Sequence, residues 1–207
     1  MLLVIGNKNY SSWSLRPWLA MKVLGLAFEE RRVALYTAQA KAELLRHSPA
    51  GKAPILVDDD GTTVWDSLAI LEYLGERHRQ LWPAGRAERA RARSLAAEMH
   101  SGFPQLRTHM SMNVRRRYPG KGRTPEVLEE IARVQAIFDD AKGPFLFGAF
   151  GAADAMYAPV VLRFRTYEVE VRNRAYVQAV LALPALGEWI EAAGREPESI
   201  ARFDQYE

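Results

Sequence analysis

Apolar positions in the first third of the chain follow two different periods. Leu2-Leu-Val-Ile5 is a short unbroken apolar run, which predicts a buried strand. Gly6 to Ser12 is polar and turn-rich. Leu15, Trp18, Leu19 and Val23 then recur at the spacing of one buried helix face. Pro17 falls in the first turn of that helix, where a missing N–H costs nothing, and Gly25 ends it. Arg32 to Leu35 predicts a second strand and Ala38 to His47 a second helix. Pro54 ahead of Ile55-Leu-Val57 marks a strand start, and Asp58-Asp-Asp-Gly61 is a hairpin turn into a partner strand over Thr62 to Trp65. Leu68, Ile70, Leu71 and Leu74 predict a further helix with Ser67 as its N-cap. The order βαβ then ββα describes a compact open sheet with helices on its faces.

The pattern changes after Leu81-Trp-Pro-Ala-Gly85, which reads as a linker. Beyond it no strand pattern appears. Arg86 to Asn113 predicts one long helix. Thr124-Pro125 is an N-cap followed by proline at the first helical position, and Val127, Leu128, Ile131, Val134 and Phe138 share one face until Gly143-Pro144 stops the helix. Further helices are predicted over Ala153 to Tyr167 and Pro184 to Ala193. The chain thus divides into an α/β domain over residues 1–80, a linker over 81–86 and an all-α bundle over 87–207.

Composition narrows the function. With 48% hydrophobic and 26% charged residues the chain has the balance of a soluble globular protein. The apolar N-terminus is too short for a secretory signal, and no run approaches the roughly 20 residues of a membrane span, so a cytoplasmic protein without membrane partners is expected. The net charge of +3 comes largely from arginines between Arg86 and Arg123. Arg86, Arg89, Arg91 and Arg93 lie in an alanine-rich helical stretch and read as a solvated face, with an arginine-lined entrance for anionic ligands left open. Nucleic-acid binding needs a basic face with stacking aromatics or a known module, and neither is evident. There is no cysteine. Disulfides, thiolate metal sites and a protein thiol nucleophile are therefore excluded, and any thiol chemistry must use a ligand's sulfur. His47, His78 and His109 show no ligand spacing, so no metal is expected.

Three segments carry candidate chemistry. Tyr10-Ser-Ser-Trp-Ser14 joins a strand end to a helix start, where hydroxyls and free N–H groups make an anion site; capping by Ser12 or Ser14 explains the same residues. Lys52-Ala53-Pro54 opens a strand after a loop. A cis proline there would free the Ala53 main chain for an extended peptide, and a trans proline would merely begin the strand. Asp66-Ser67 at a helix N-terminus suits a carboxylate ligand or a simple cap.

Jointly, Ser11-Ser12 leading to Arg16, Gly51-Lys-Ala-Pro54 and Asp66-Ser-Leu-Ala-Ile-Leu-Glu-Tyr-Leu74 resemble the glutathione-binding site of the cytosolic glutathione S-transferases. The resemblance runs over essentially the whole chain and is strongest over residues 1–80. The serine pair is closest to serine-type, zeta-like bacterial members, a group that includes maleylacetoacetate isomerases. It implies a thioredoxin-like domain ahead of the helical bundle, a homodimer, and detoxifying conjugation of glutathione to a small electrophile. The alternatives are isomerisation or ligand binding alone. It also implies roles. Ser11 or Ser12 would donate to the glutathione sulfur, Lys52 would sit near the ligand backbone or glycine end, Ala53 before cis Pro54 would pair with the cysteinyl unit, and Asp66 and Ser67 would hold the γ-glutamyl group. A second substrate would lie between the domains, with Trp13, Trp18, His100, Phe103 and Arg107 as candidate lining. Zeta-like enzymes carry a cysteine where Trp13 stands. The segment Gly151-Ala-Ala-Asp154 lacks the forward hydroxyl of a capping box, and Asp154 reads as structural.

Overall fold

The computed structural model describes residues 1–206 of the 207-residue chain. Strands β1 (Leu2–Ile5), β2 (Glu29–Arg32), β3 (Ile55–Val57) and β4 (Thr63–Val64) form one sheet in the order β2-β1-β3-β4. β2 runs parallel to β1, while β3 pairs antiparallel with both β1 and β4. The parallel pair is joined by helix α1 (Ser12–Val23), as a crossover connection requires. Alternation along β1 sends Leu3 and Ile5 to the face shared with Leu15 and Leu19 of α1 and Ile70 and Leu71 of α3 (Ser67–Arg77). Val4 points the other way, into a smaller core with Val33, Ile55 and two residues of α2 (Ala40–Leu45).

Behind a short 3-10 turn at Arg79–Leu81 the chain is helical: α4 (Arg86–Ser101), α5 (Pro104–His109), α6 (Pro125–Asp139), α7 (Ala152–Tyr167), α8 (Arg174–Leu181) and α9 (Pro184–Gly194). α7 is the central post. Every one of its residues except Arg165 is buried, and it packs against both α1 and α4. The sheet layer and the bundle therefore share one continuous core. Thr124 caps α6 as expected, its Oγ1 accepting the Val127 N–H at 3.3 Å, with Pro125 in the first turn.

Five expectations are corrected. The second strand lies over Glu29–Arg32 and not Arg32–Leu35. Its side chains are all exposed and it pairs only through its backbone, ending with the Val33 N–H to Ile5 carbonyl bond of 2.8 Å. A charged edge strand of this kind has no apolar signature. Val23, the last residue of α1, is exposed: burial along the helix ends at Met21. Asp66, not Ser67, is the N-cap of α3, accepting the Leu68 N–H at 3.0 Å. The long helix expected over Arg86 to Asn113 breaks after Ser101: Gly102 leaves the helix, Phe103 adopts φ +60°, and Pro104 begins α5. The break lies at Phe103, whose left-handed backbone cannot continue a right-handed helix, and Pro104 takes the first position of the next one, where its missing N–H costs nothing. Finally, Pro17 lies inside α1, which begins at Ser12, and not in its first turn. The sequence reading has, in addition, no helix at α8.

Candidate functional site

The loop between β1 and α1 is held rigidly. Asn7 carbonyl accepts the Tyr10 and Ser11 N–H groups, and Asn7 Oδ1 accepts the Leu35 N–H at 2.8 Å. Ser11 is the N-cap of α1: its Oγ accepts the Ser14 N–H at 3.3 Å and donates to Ser14 Oγ at 2.7 Å. Ser14 Oγ in turn accepts the Gly6 N–H at 3.0 Å. The Ser11 hydroxyl is thus engaged as donor and acceptor. Ser12 differs. Its Oγ accepts one bond, from Arg163 Nη2 at 3.4 Å, and its own O–H is left without an acceptor among the described residues.

Both serines line a cavity of about 800 Å³. One wall is the segment Gly51-Lys-Ala53, which precedes a cis peptide at Ala53–Pro54. The Ala53 main chain makes no hydrogen bond among the described residues, because the β1–β3 ladder begins only at Ile55. The opposite walls come from Arg107, Ser111 and Met112 of the bundle side and from Arg163 of α7. The roof is the C-terminal segment, which supplies Arg202, Phe203 and Gln205. That segment is fastened by Asp204, whose carboxylate accepts from Tyr10 Oη at 2.9 Å, Asn113 Nδ2 at 2.7 Å and the Ile200 N–H at 3.1 Å. Phe203 stacks on Tyr10 with centroids 5.6 Å apart.

The cavity lining includes Lys41, Lys52, Arg107, Arg163 and Arg202 but no Asp or Glu. Burial pushes the Arg163 guanidinium down to about 9, the like charge of Arg107 adds to this, and Tyr167 opposes it. Arg16, wholly buried beneath the site, is driven well below the ordinary arginine value by burial first, then by Arg107 and Arg163. Among the described residues no cluster of His, Asp and Glu could hold a metal ion.

The other expected site residues fall into two groups. Trp13 lines the cavity, with the Arg16 guanidinium 4.2 Å and that of Arg107 4.8 Å from its ring centroid, and His100 edge-on at 5.4 Å. His100 Nε2 lies 3.3 Å from Asp66. Ser67 is buried and its Oγ accepts from Arg16 Nη1 at 3.2 Å. Asp66, Ser67 and His100 therefore form a second polar cluster beyond Trp13, outside the cavity lining. Trp18 and Phe103 do not reach the cavity. Trp18 packs against Trp189 at 5.0 Å and donates to Glu30 at 2.6 Å; Phe103 is buried in the core at the α4–α5 break. The sequence reading missed Arg163, Tyr36 and the roof residues Arg202 and Phe203. Arg163 had a signal, a lone cation inside the apolar run Val160-Val-Leu-Arg-Phe164. Arginine is almost never fully buried without a partner.

A mixed thioredoxin-like sheet carrying a cis proline at the start of β3, backed by an all-helical domain with a cavity between them, defines a class of two-part fold. The family model described as the glutathione S-transferase N-terminal domain matches residues 10–77, and that described as the glutathione S-transferase C-terminal domain matches residues 86–192. The chain belongs to the glutathione S-transferase family. It is similar to a probable maleylacetoacetate isomerase of Caenorhabditis elegans, 37% identical over 101 residues, covering 48% of this chain and 46% of that protein. It is also similar to an isoprene-epoxide–glutathione S-transferase of Rhodococcus sp. strain AD45, 39% identical over 72 residues, covering 35% of this chain and 28% of that one. The matched segments thus span less than half of these curated relatives. Among solved structures, a glutathione transferase homologue from Burkholderia gl BGR1 with bound glutathione is 25% identical, with TM-score 0.70, over 93% of this chain and 96% of that one. A maleyl pyruvate isomerase, a bacterial zeta-class glutathione S-transferase, shares the fold at 22% identity and TM-score 0.65, over 97% of this chain and 100% of that one. No described helix is long and apolar enough to cross a membrane.

Proposed function

We propose that this chain binds glutathione, stabilises its thiolate and delivers it to a small electrophile. One observation carries the reading: Ser12 presents an unused O–H at the N-terminus of α1, in the same cavity as the open main chain of Ala53. An extended tripeptide pairs with Ala53 ahead of Pro54, with Lys52 towards its glycine end and Asp66 and Ser67 towards its γ-glutamyl group. Arg16 fixes Ser67 in place for that role. A free thiol ionises near pH 8.5, and lowering that by two units takes about 2.7 kcal/mol of preference for the anion. A charge-assisted hydrogen bond and a helix N-terminus are of the size to supply it. The serine acts as a hydrogen-bond donor, not as a base, since its own proton is far too tightly held.

The lining refines the electrophile. Aromatic rings from Trp13, Tyr36 and Phe203 stand beside the cations Lys41, Arg107 and Arg202. This suits a flat apolar group that carries a negative charge, with His100 edge-on behind Trp13. Glutathione-dependent isomerisation is the second reading, favoured by the likeness to the probable maleylacetoacetate isomerase; Trp13, where zeta-like enzymes have cysteine, weighs against it. We read residues 1–80 as the glutathione-binding domain, 81–86 as the linker and 87–207 as the substrate domain of a cytoplasmic homodimer.

The test is conjugation kinetics. Ser12→Ala is expected to lower kcat/KM by about a hundredfold, the scale of losing one donor to a developing anion. Ser11→Ala is expected to act mainly through loss of the α1 cap, costing about 1 kcal/mol of stability. Activity that neither substitution reduces would refute the assignment.

A further inference from the structure

We infer that Arg163, supplied by the helical domain, touches the glutathione sulfur together with Ser12 and is the counter-charge that holds it as a thiolate. The inference rests on the proposed glutathione activation and deepens it.

The geometry is specific. Arg163 reaches across from α7 to α1, and one guanidinium nitrogen is tied down: Nε donates to the Met110 carbonyl at 2.8 Å. Nη2 meets Ser12 Oγ at 3.4 Å, and Nη1 has no partner among the described residues while the side chain lines the cavity. No carboxylate forms an ion pair with this group among the described residues, although it is buried but for its face on the cavity. The titratable groups facing it are Arg107 from α5, Arg16 from α1 and, from its own helix, the Tyr167 phenol. The cationic neighbours repel it and the phenol is neutral at working pH. A buried cation without an anion is costly, and proteins retain such groups where a ligand completes them.

An anion that enters the cavity beside Ser12 meets the guanidinium already in contact with the Ser12 Oγ. A sulfur accepting the Ser12 hydrogen bond sits beside the guanidinium, so one atom satisfies both. The ionisation balances simply. The S–H bond breaks, its electron pair remains on sulfur and its proton leaves to water; neither Ser12 nor Arg163 receives it. Because Met110 and Ser12 already fix the guanidinium, little reorganisation is needed when the charge forms.

The test follows the thiolate absorbance of bound glutathione as pH is varied. In Arg163→Gln, which keeps amide donors but removes the charge, the ionisation midpoint is expected to rise by about one unit, a roughly threefold loss of thiolate at pH 7 from a midpoint near 6.5. Arg163→Lys, which keeps the charge, is expected to restore part of the shift. A midpoint in Arg163→Gln equal to that of the wild type, with KM for the electrophile raised instead, would overturn the inference and assign Arg163 to the second substrate. A measurement on the unsubstituted protein covers the case in which Arg163→Gln does not fold: the Arg163 guanidinium nitrogen resonances should move on adding glutathione but not S-methylglutathione, and equal responses would overturn the inference. Calorimetry of the wild type with glutathione separates the two levels. Absence of binding refutes glutathione activation itself, whereas binding with an unmoved midpoint refutes only the role of Arg163.

Discussion

Asp154 shows how one buried carboxylate is kept for structure. It sits in the first turn of α7, buried, and accepts the Leu146 N–H and the Gly151 N–H, each at 2.9 Å. Burial nevertheless wins over these bonds and pushes its carboxyl up to about 6. The folded chain therefore holds a proton that the unfolded chain releases near pH 4. The stabilisation from this group is complete below that point and is lost as pH rises through about 6. Chemical denaturation at pH 4 and pH 7 should show the wild type losing about 2.5 kcal/mol relative to Asp154→Asn as the folded carboxyl ionises. A difference that grows in the opposite direction would show that the hydrogen bonds outweigh burial. The structural role of Asp154 was readable from the sequence because a helix-start aspartate has a fixed local partner, the N–H three residues back. The standing of Arg163 was not readable in the same way, since its partners Ser12 and Met110 are remote in sequence and meet only through the α1–α7 packing.

Among the elements, those set by local periodicity were legible. β1, β3, α6 and α7 follow from apolar spacing and from caps such as Thr124-Pro125, which act within a few residues. β2 was displaced because a fully exposed edge strand earns its place through backbone pairing to β1. The C-terminal segment past α9 was illegible for a similar reason. It has no regular period, yet Asp204 gathers bonds from Tyr10, Asn113, Ser199 and the Ile200 N–H and so lays Phe203 and Arg202 over the cavity. Asp204→Ala is expected to release this strap. Steady-state kinetics should then show KM for the electrophile rising several-fold, while glutathione binding along Ala53 is retained. Stability should fall by about 1–3 kcal/mol, the cost of leaving buried donors unpaired. An unchanged KM would mean that the strap roofs the cavity without touching the second substrate.

Across the whole molecule the two layers are one body. α7 of the bundle packs on α1 of the sheet domain, Trp189 of α9 donates to the Lys8 carbonyl at 2.9 Å, and Glu196 accepts the Lys8 and Asn9 N–H groups. Neither layer keeps its apolar face covered without the other. Thermal unfolding followed by far-ultraviolet dichroism and by tryptophan emission, with Trp18 and Trp189 at the junction, should give coincident transitions. Two separated transitions would show that the layers melt independently. The overall plan was visible in sequence because the shift from mixed to purely helical periodicity is global, while the cavity between the layers depends on which residues face each other across the seam.

Trp13 occupies the spot beside the serines with an indole wedged against two guanidinia. With no cysteine anywhere in the chain, a reagent that alkylates or oxidises thiols finds no sulfhydryl of the protein's own to spoil. On the proposed conjugation, the reacting sulfur belongs to glutathione and leaves with each product, so the protein would renew its most vulnerable atom at every turnover.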